Sequence, residues 1–218
     1  RCTTCQGVGP LEHLSAAAVA LGIRGWILEA DHGDLPIFDG SAQPWAEAFG
    51  SEGFSRSPPV RPRPRLPGGR WLSERGGILE MEPAERFRCR VEWSRGPEGP
   101  EVWEGGEDDL AGILGARTFV DVDDWLAARE AGWLQGTESG SGRLLRGDSP
   151  HAQPVRLARE LAVDPVASVW TGGAERMPGE CAAHKALDLA GDIGAWIGYL
   201  PPLSVFARDA GHELHHRS

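Results

Sequence analysis

The chain has 218 residues, 40% of them hydrophobic and 25% charged, with a formal net charge of −10. That is enough apolar material for one large core or two small ones, and too much for a disordered chain. The acidic balance argues against a nucleic-acid partner, because phosphate backbones call for a basic face, and no apolar run reaches the ~18 residues of a membrane-spanning helix.

Residues 11–21 are predicted to form a helix, since Leu11, Leu14, Ala18 and Leu21 recur at a helical period and Gly22 stops it. Residues 25–30 read as a strand, with Trp26, Leu28 and Ala30 alternating against Ile27 and Glu29. Residues 31–34 are turn-rich, and 35–38 read as a short apolar strand ending in Asp39-Gly40-Ser41. A second short helix is expected over 45–49. Residues 55–69 contain Pro58, Pro59, Pro62, Pro64 and Pro67 with arginines between them. This linker places a domain boundary between residues 1–65 and 66–218.

The second half opens with strands at 78–81 and 86–93. A helix follows at 108–114, an extended segment at 118–122 and a helix at 124–131 ended by Gly132. Residues 136–142 form a Gly/Ser loop, and 156–162 a helix. Residues 181–198 carry a long helix. Strands mixed with helices, without a βαβ repeat, indicate an α+β fold. Four cysteines in a chain of this length do not make a disulfide framework, so a reducing cytosol is the default. Cys2-x2-Cys5 is half of a zinc motif, and Cys89 and Cys181 stand apart from it, so it reads as incidental. The chain starts at Arg1 rather than Met, as a fragment or processed form would, and no secretory signal opens it. Nothing in the sequence specifies an oligomeric state.

The strongest chemical signal lies on the long helix. His184, Asp188 and Asp192 stand at i, i+4 and i+8, which puts them on one stripe. A bare His-x3-Asp is usually a solvated ion pair. Here the stripe continues through Asp192 along an apolar segment, with Leu187, Leu189 and Ile193 beside it. A His and an Asp one turn apart can share a metal ion, and the next carboxylate can orient a neighbouring group. Glu12 and His13 stand in the first turn of the N-terminal helix, where a Glu already complements the helix dipole. Beside a metal, His13 would be a third ligand and Glu12 a general base toward water. Gly211-His212 near the C-terminus offers a general acid, whereas His215 and His216 read as a His-rich tail.

Five ordered segments resemble the UDP-3-O-acyl-N-acetylglucosamine deacetylase family of lipid A biosynthesis. They are Leu11-Glu12-His13-Leu14, the run from Leu35 to Ala42, Ala116-Arg117-Thr118-Phe119, the run from His184 to Asp192, and Gly211-His212-Glu213-Leu214. The resemblance implies a cytoplasmic zinc enzyme that removes the N-acetyl group from a UDP-linked acylated amino sugar. It implies zinc on His13, His184 and Asp188, with Glu12 as general base and His212 as acid oriented by Asp192. Thr118 would stabilise the oxyanion, Lys185 would direct charge toward the diphosphate, and Phe119 would line the substrate pocket. The implied fold is a two-domain layered sandwich of small mixed sheets and helices with a pseudo-twofold relation. Its first domain would be incomplete here, because the family has strands ahead of the Glu-His helix. The family's Gly-Gly-Ser-x-x-Asn-Ala stretch is replaced by residues 136–142, and 150–179 resembles an insertion. Two other readings stay open: a non-catalytic relative that keeps the metal site, and a zinc deacylase for another substrate.

Overall fold

A computed structural model describes residues 2–24, 26–31, 33, 35–52, 66–96, 99–121, 143–145 and 175–217. The helices expected at 124–131 and 156–162, the 136–142 loop and most of the proline-rich linker lie outside them. So does most of the 150–179 segment.

The described elements are helices α1 (Glu12–Ala20) and α2 (Gln43–Glu52), strands β1 (Gly69–Leu72), β2 (Ile78–Pro83), β3 (Arg88–Gly96) and β4 (Gly99–Gly106), and a 3₁₀ helix (Glu107–Ile113). Strands β5 (Phe119–Asp121) and β6 (Arg143–Leu145) follow, then helix α3 (Glu180–Ile197), strand β7 (Leu203–Arg208) and a single helical turn, α4 (His212–His215). Five strands form a sheet in the order β1-β2-β7-β3-β4. Strand β7 lies in the middle, antiparallel to β2 and parallel to β3. Strands β5 and β6 pair in parallel as a separate ribbon. Helices and a mixed sheet make this an α+β fold.

Alternation builds the sheet. Cys89, Val91 and Trp93 of β3 are buried, as are Leu203, Val205 and Ala207 of β7 and Leu79 and Met81 of β2. The opposite face carries charge, with Arg90 paired to Glu92 and Glu104, and Arg208 also reaching Glu92. An antiparallel-rich sheet with one wet face has this pattern. The apolar face packs under α3, whose Ala183, Ala186, Leu187, Ala190 and Ile193 join one core with Ala16, Ala17 and Val19 of α1.

Helix α1 is buried along nearly its whole length, from Glu12 to Val19. Its run of alanines lets it lie very close to α3. A Cβ added at Gly191 would meet the Glu12 carbonyl oxygen at 2.0 Å. The helix ends in a Schellman-type turn: Gly22 has φ +69°, and the Ile23 N–H donates to the Ala18 carbonyl.

Two expectations are corrected. Residues 26–30 and 35–38 are not strands, because among the described residues neither finds a strand to pair with. Trp26 and Leu28 instead pack on Leu11, Leu14 and Leu35, and the Leu35 N–H donates to the Gly9 carbonyl. The helix expected at 108–114 is present and winds as a 3₁₀ helix over Glu107–Ile113. Its buried residues, Leu110 and Ile113, are three apart, which is the eclipsed spacing of that winding.

Candidate metal and acid–base site

Two helices build the site. Helix α1 presents Glu12 and His13 from its first turn, and α3 presents His184, Asp188 and Asp192 from its buried stripe. The tight α1–α3 contact at Gly191 sets the distance between the two sets. Candidate ligand atoms of His13, His184 and Asp188 all lie within 4.8 Å of one another. Asp188 Oδ1 is 3.2 Å from His184 Nε2 and 3.8 Å from His13 Nε2. Bonds of about 2.0–2.2 Å to a tetrahedral ion set donors roughly 3.3 Å apart, so the spacing fits.

The unmet valences fit too. His184 Nε2 and Asp188 Oδ1 are buried atoms without a hydrogen-bond partner, and they face each other at 3.2 Å. His184 Nδ1 lies 3.0 Å from the Ala116 carbonyl, which can only accept. Nδ1 therefore carries the proton, and the Nε2 lone pair is free for a cation. Burial, with the neighbouring His184, pushes the His13 imidazole down to about 4, so it is neutral near pH 7, as a ligand must be. Asp188 divides its oxygens: Oδ2 accepts from Lys185 Nζ at 2.8 Å, and Oδ1 stays open. Burial raises the Asp188 carboxyl, but His184, Lys185 and His212 together outweigh it and hold it well below the usual carboxylate range.

Two further titratable side chains, Glu12 and His212, adjoin these candidate ligands. Glu12 is buried and its carboxyl is raised, chiefly by burial, against the lowering pull of His212. His212 Nε2 faces Glu12 Oε1 at 3.8 Å and Asp188 Oδ2 at 3.7 Å. Its Nδ1 donates to Asp192 Oδ2 at 2.7 Å. Burial works against the imidazolium, but the charge of Asp188, the Asp192 hydrogen bond and Glu12 raise it to about 9.

The remaining expected residues lie around this centre. The Phe119 ring is 6.1 Å from the His184 ring and packs on Trp93. Lys185 Nζ sits 5.0 Å over Phe119 while paired to Asp188. Thr118 is half-buried between Phe119 and Arg117, and its N–H donates to the Gly40 carbonyl.

Sequence reasoning missed four participants. His215 is not part of a loose tail: it is 6% exposed, and its Nδ1 donates to Asp192 Oδ2 at 2.6 Å. The turn of α4 brings it to the same carboxylate as His212. His216 is likewise engaged, with Nε2 2.8 Å from Thr3 Oγ1. Thr3 itself had no local signal. The buried Arg117–Glu180 pair was the fourth: Glu180 accepts from the Arg117 N–H, Nε and Nη2 and from the Arg176 N–H. Glu180 stands four residues before His184, so extending the i, i+4 stripe backward finds it. The pair clamps the 116–118 segment whose carbonyl orients His184.

The family model for LpxC, UDP-3-O-acyl N-acetylglycosamine deacetylase, matches residues 1–218. The chain belongs to this family. LpxC-family members are metalloenzymes that hydrolyse an N-acetyl amide. Similar proteins include the UDP-3-O-acyl-N-acetylglucosamine deacetylase of Synechocystis sp., 29% identical over 94% of this chain and 69% of its own length. Those of Myxococcus xanthus and Solibacter usitatus are 29% and 28% identical, each over 96% of this chain and over 62% and 66% of their own lengths. The chain thus spans about two thirds of the length of these relatives. No described helix is long and apolar enough to cross a membrane.

Proposed function

We propose that this site hydrolyses the N-acetyl group of UDP-3-O-acyl-N-acetylglucosamine, with zinc on His13, His184 and Asp188. The observation that carries the reading is the convergence of buried His13, His184 and Asp188, with His184 Nε2 and Asp188 Oδ1 both unpartnered, beside Glu12 and His212. Two nitrogens and one carboxylate oxygen suit zinc, and three protein ligands leave a position open. When bound, zinc supplies Lewis acidity toward a water and the amide carbonyl.

The chain's own residues supply the proton traffic. Glu12 accepts the proton of the attacking water; its raised carboxyl brings the base closer to neutral pH. His212, held protonated by Asp192 and the nearby carboxylates, gives its proton to the departing amine nitrogen. Thr118 donates to the oxyanion. Lys185 biases the entrance toward the diphosphate, and Phe119 forms a wall of the substrate pocket. The products are a free amine and acetate.

Four cysteines in 218 residues do not make a disulfide framework, which supports a reducing, cytoplasmic setting. The two-domain division at residues 65 and 66, with its pseudo-twofold relation, belongs to the same proposal. It is supported by the proline-rich stretch and by each half contributing one ligand-bearing helix.

Zinc-loaded protein should release acetate from UDP-3-O-acyl-N-acetylglucosamine, and chelation should stop it. A fully loaded site without turnover on this substrate refutes the reading. Turnover that prefers acylated amino sugars without UDP would instead establish another deacylase.

A further inference from the structure

The base and the acid of this site approach it from different helices, and one residue touches both the base, Glu12, and Asp192, which holds the acid. Thr3 is 2% exposed. Its backbone N–H donates to Glu12 Oε2 at 2.9 Å. Its hydroxyl hydrogen-bonds Asp192 Oδ1, the oxygen that His212 and His215 leave free. A carboxylate only accepts, so the Thr3 O–H donates there, and the same oxygen accepts from His216 Nε2 at 2.8 Å. The Thr3 carbonyl accepts the Leu11 N–H at 2.8 Å, which ties the loop to the start of α1. Every polar group of Thr3 is therefore committed, two of them to the acid–base machinery.

We propose that Thr3 is a positioning residue for this chemistry. Its N–H fixes Glu12 through Oε2 and leaves Oε1 toward the reacting water. Its hydroxyl satisfies Asp192 Oδ1, which holds the carboxylate plane so that Oδ2 meets His212 Nδ1 and His215 Nδ1 together. Without that hydroxyl, a buried carboxylate oxygen is unpaired, and the cheapest repair is a rotation of Asp192 that loosens both imidazoles. Thr3 acts only through Glu12 and Asp192, so it should affect the chemical step rather than substrate binding. The proposal rests on the acid–base reading above.

The test uses the full chain loaded with zinc. Thr3→Val removes the hydroxyl at constant shape and keeps the N–H. It should lower kcat by about 10-fold or more while KM and zinc content stay near wild type. Thr3→Ser should recover most of kcat. In an Asp192→Asn background, Thr3→Val should add less than about twofold, because the path to His212 is already broken. If Thr3→Val does not fold, Thr3→Ala against Thr3→Ser makes the same comparison. A wild-type kcat in the hydroxyl-free variant, or a full additional loss in the Asp192→Asn background, overturns the proposal.

A readout independent of turnover separates this from failure of the deacetylase reading. The low-field Nδ1 proton resonances of His212 and His215 should move in Thr3→Val and hold in Thr3→Ser. If wild-type protein does not turn over, the activity proposal has failed, and the resonances still decide: unchanged lines in Thr3→Val refute the role of Thr3.

Discussion

Replacing Gly191 by alanine tests the geometry on which the whole site depends. The added Cβ would stand 2.0 Å from the Glu12 carbonyl oxygen, 2.8 Å from the carbonyl carbon and 3.1 Å from Cα. These are backbone atoms, so no side chain can swing aside. The helices must part by about 1.4 Å before the closest contact reaches ordinary van der Waals distance. Metal–ligand distances tolerate only ~0.2 Å. His13 rides on α1 next to Glu12, while His184 and Asp188 stay with α3, so the donor set is pulled apart. Overpacking of this kind costs about 2 kcal/mol, which is roughly 4–8 °C in Tm for a chain of this size. Zinc affinity should fall on the order of 100-fold or more, measured by competition with a chromogenic chelator. Gly194→Ala is the internal control. Its Cβ would meet the Val19 Cγ1 methyl at 2.6 Å, a side-chain atom that can rotate away. Wild-type zinc affinity and Tm in Gly191→Ala would show that the close helix contact does not set the ligand spacing.

Other outcomes follow from the same geometry. Glu12→Gln should retain zinc and lose most turnover, whereas His13→Ala should lose both, as read by metal analysis and acetate release; full activity in either variant refutes the role assigned to that residue. Arg117→Met takes the guanidinium charge away from Glu180, which is fully buried, and should cost about 3–5 kcal/mol. Thermal melts should show part of that loss recovered in Arg117→Met/Glu180→Leu, and no recovery would mean that the ion pair is not the source. In metal-free protein the His212 ring should titrate near pH 9 by NMR, and Asp192→Asn should lower that value. Because the folded value is raised, this stabilisation is complete below the unfolded pKa of about 6.5 and is lost as pH rises through about 9. An unshifted His212 titration would remove the case for it as the proton donor.

Local patterns carried much of this molecule. The alanine-rich α1, the alternating β2 and β3 and the amphipathic α3 are each legible because one period dominates the segment. Strand β7 alternates just as cleanly, yet it follows Pro201-Pro202 at the end of an apolar run that began in the helix, and so it went unread. Strands β1 and β4 are short or rich in Gly and Glu, and their pairing comes from neighbours distant in sequence. The site divides in the same way. His184, Asp188 and Asp192 share one helix, so their spacing announces them. His13 and His212 have no periodic link to that helix and were legible only through resemblance to a family. His215 looked like tail because nothing in four adjacent polar residues reveals that a single turn of helix returns it to Asp192.

Glu180, His184, Asp188 and Asp192 occupy four successive turns of α3, each at an interval of four. One rod thus acts as a ruler, and it carries in order a structural clamp, two candidate donors for a cation and the carboxylate that holds the proposed proton donor. A residue added or removed anywhere along 180–192 would rotate everything beyond it by about 100° and shift it by about 1.5 Å. The chemistry would then be severed at the point of insertion, with the upstream part left facing the core and the downstream part aimed elsewhere. Point substitutions can weaken such a helix by degrees, but a change of length is all or nothing. Within this segment the chain can evolve by exchanging side chains and not by growing.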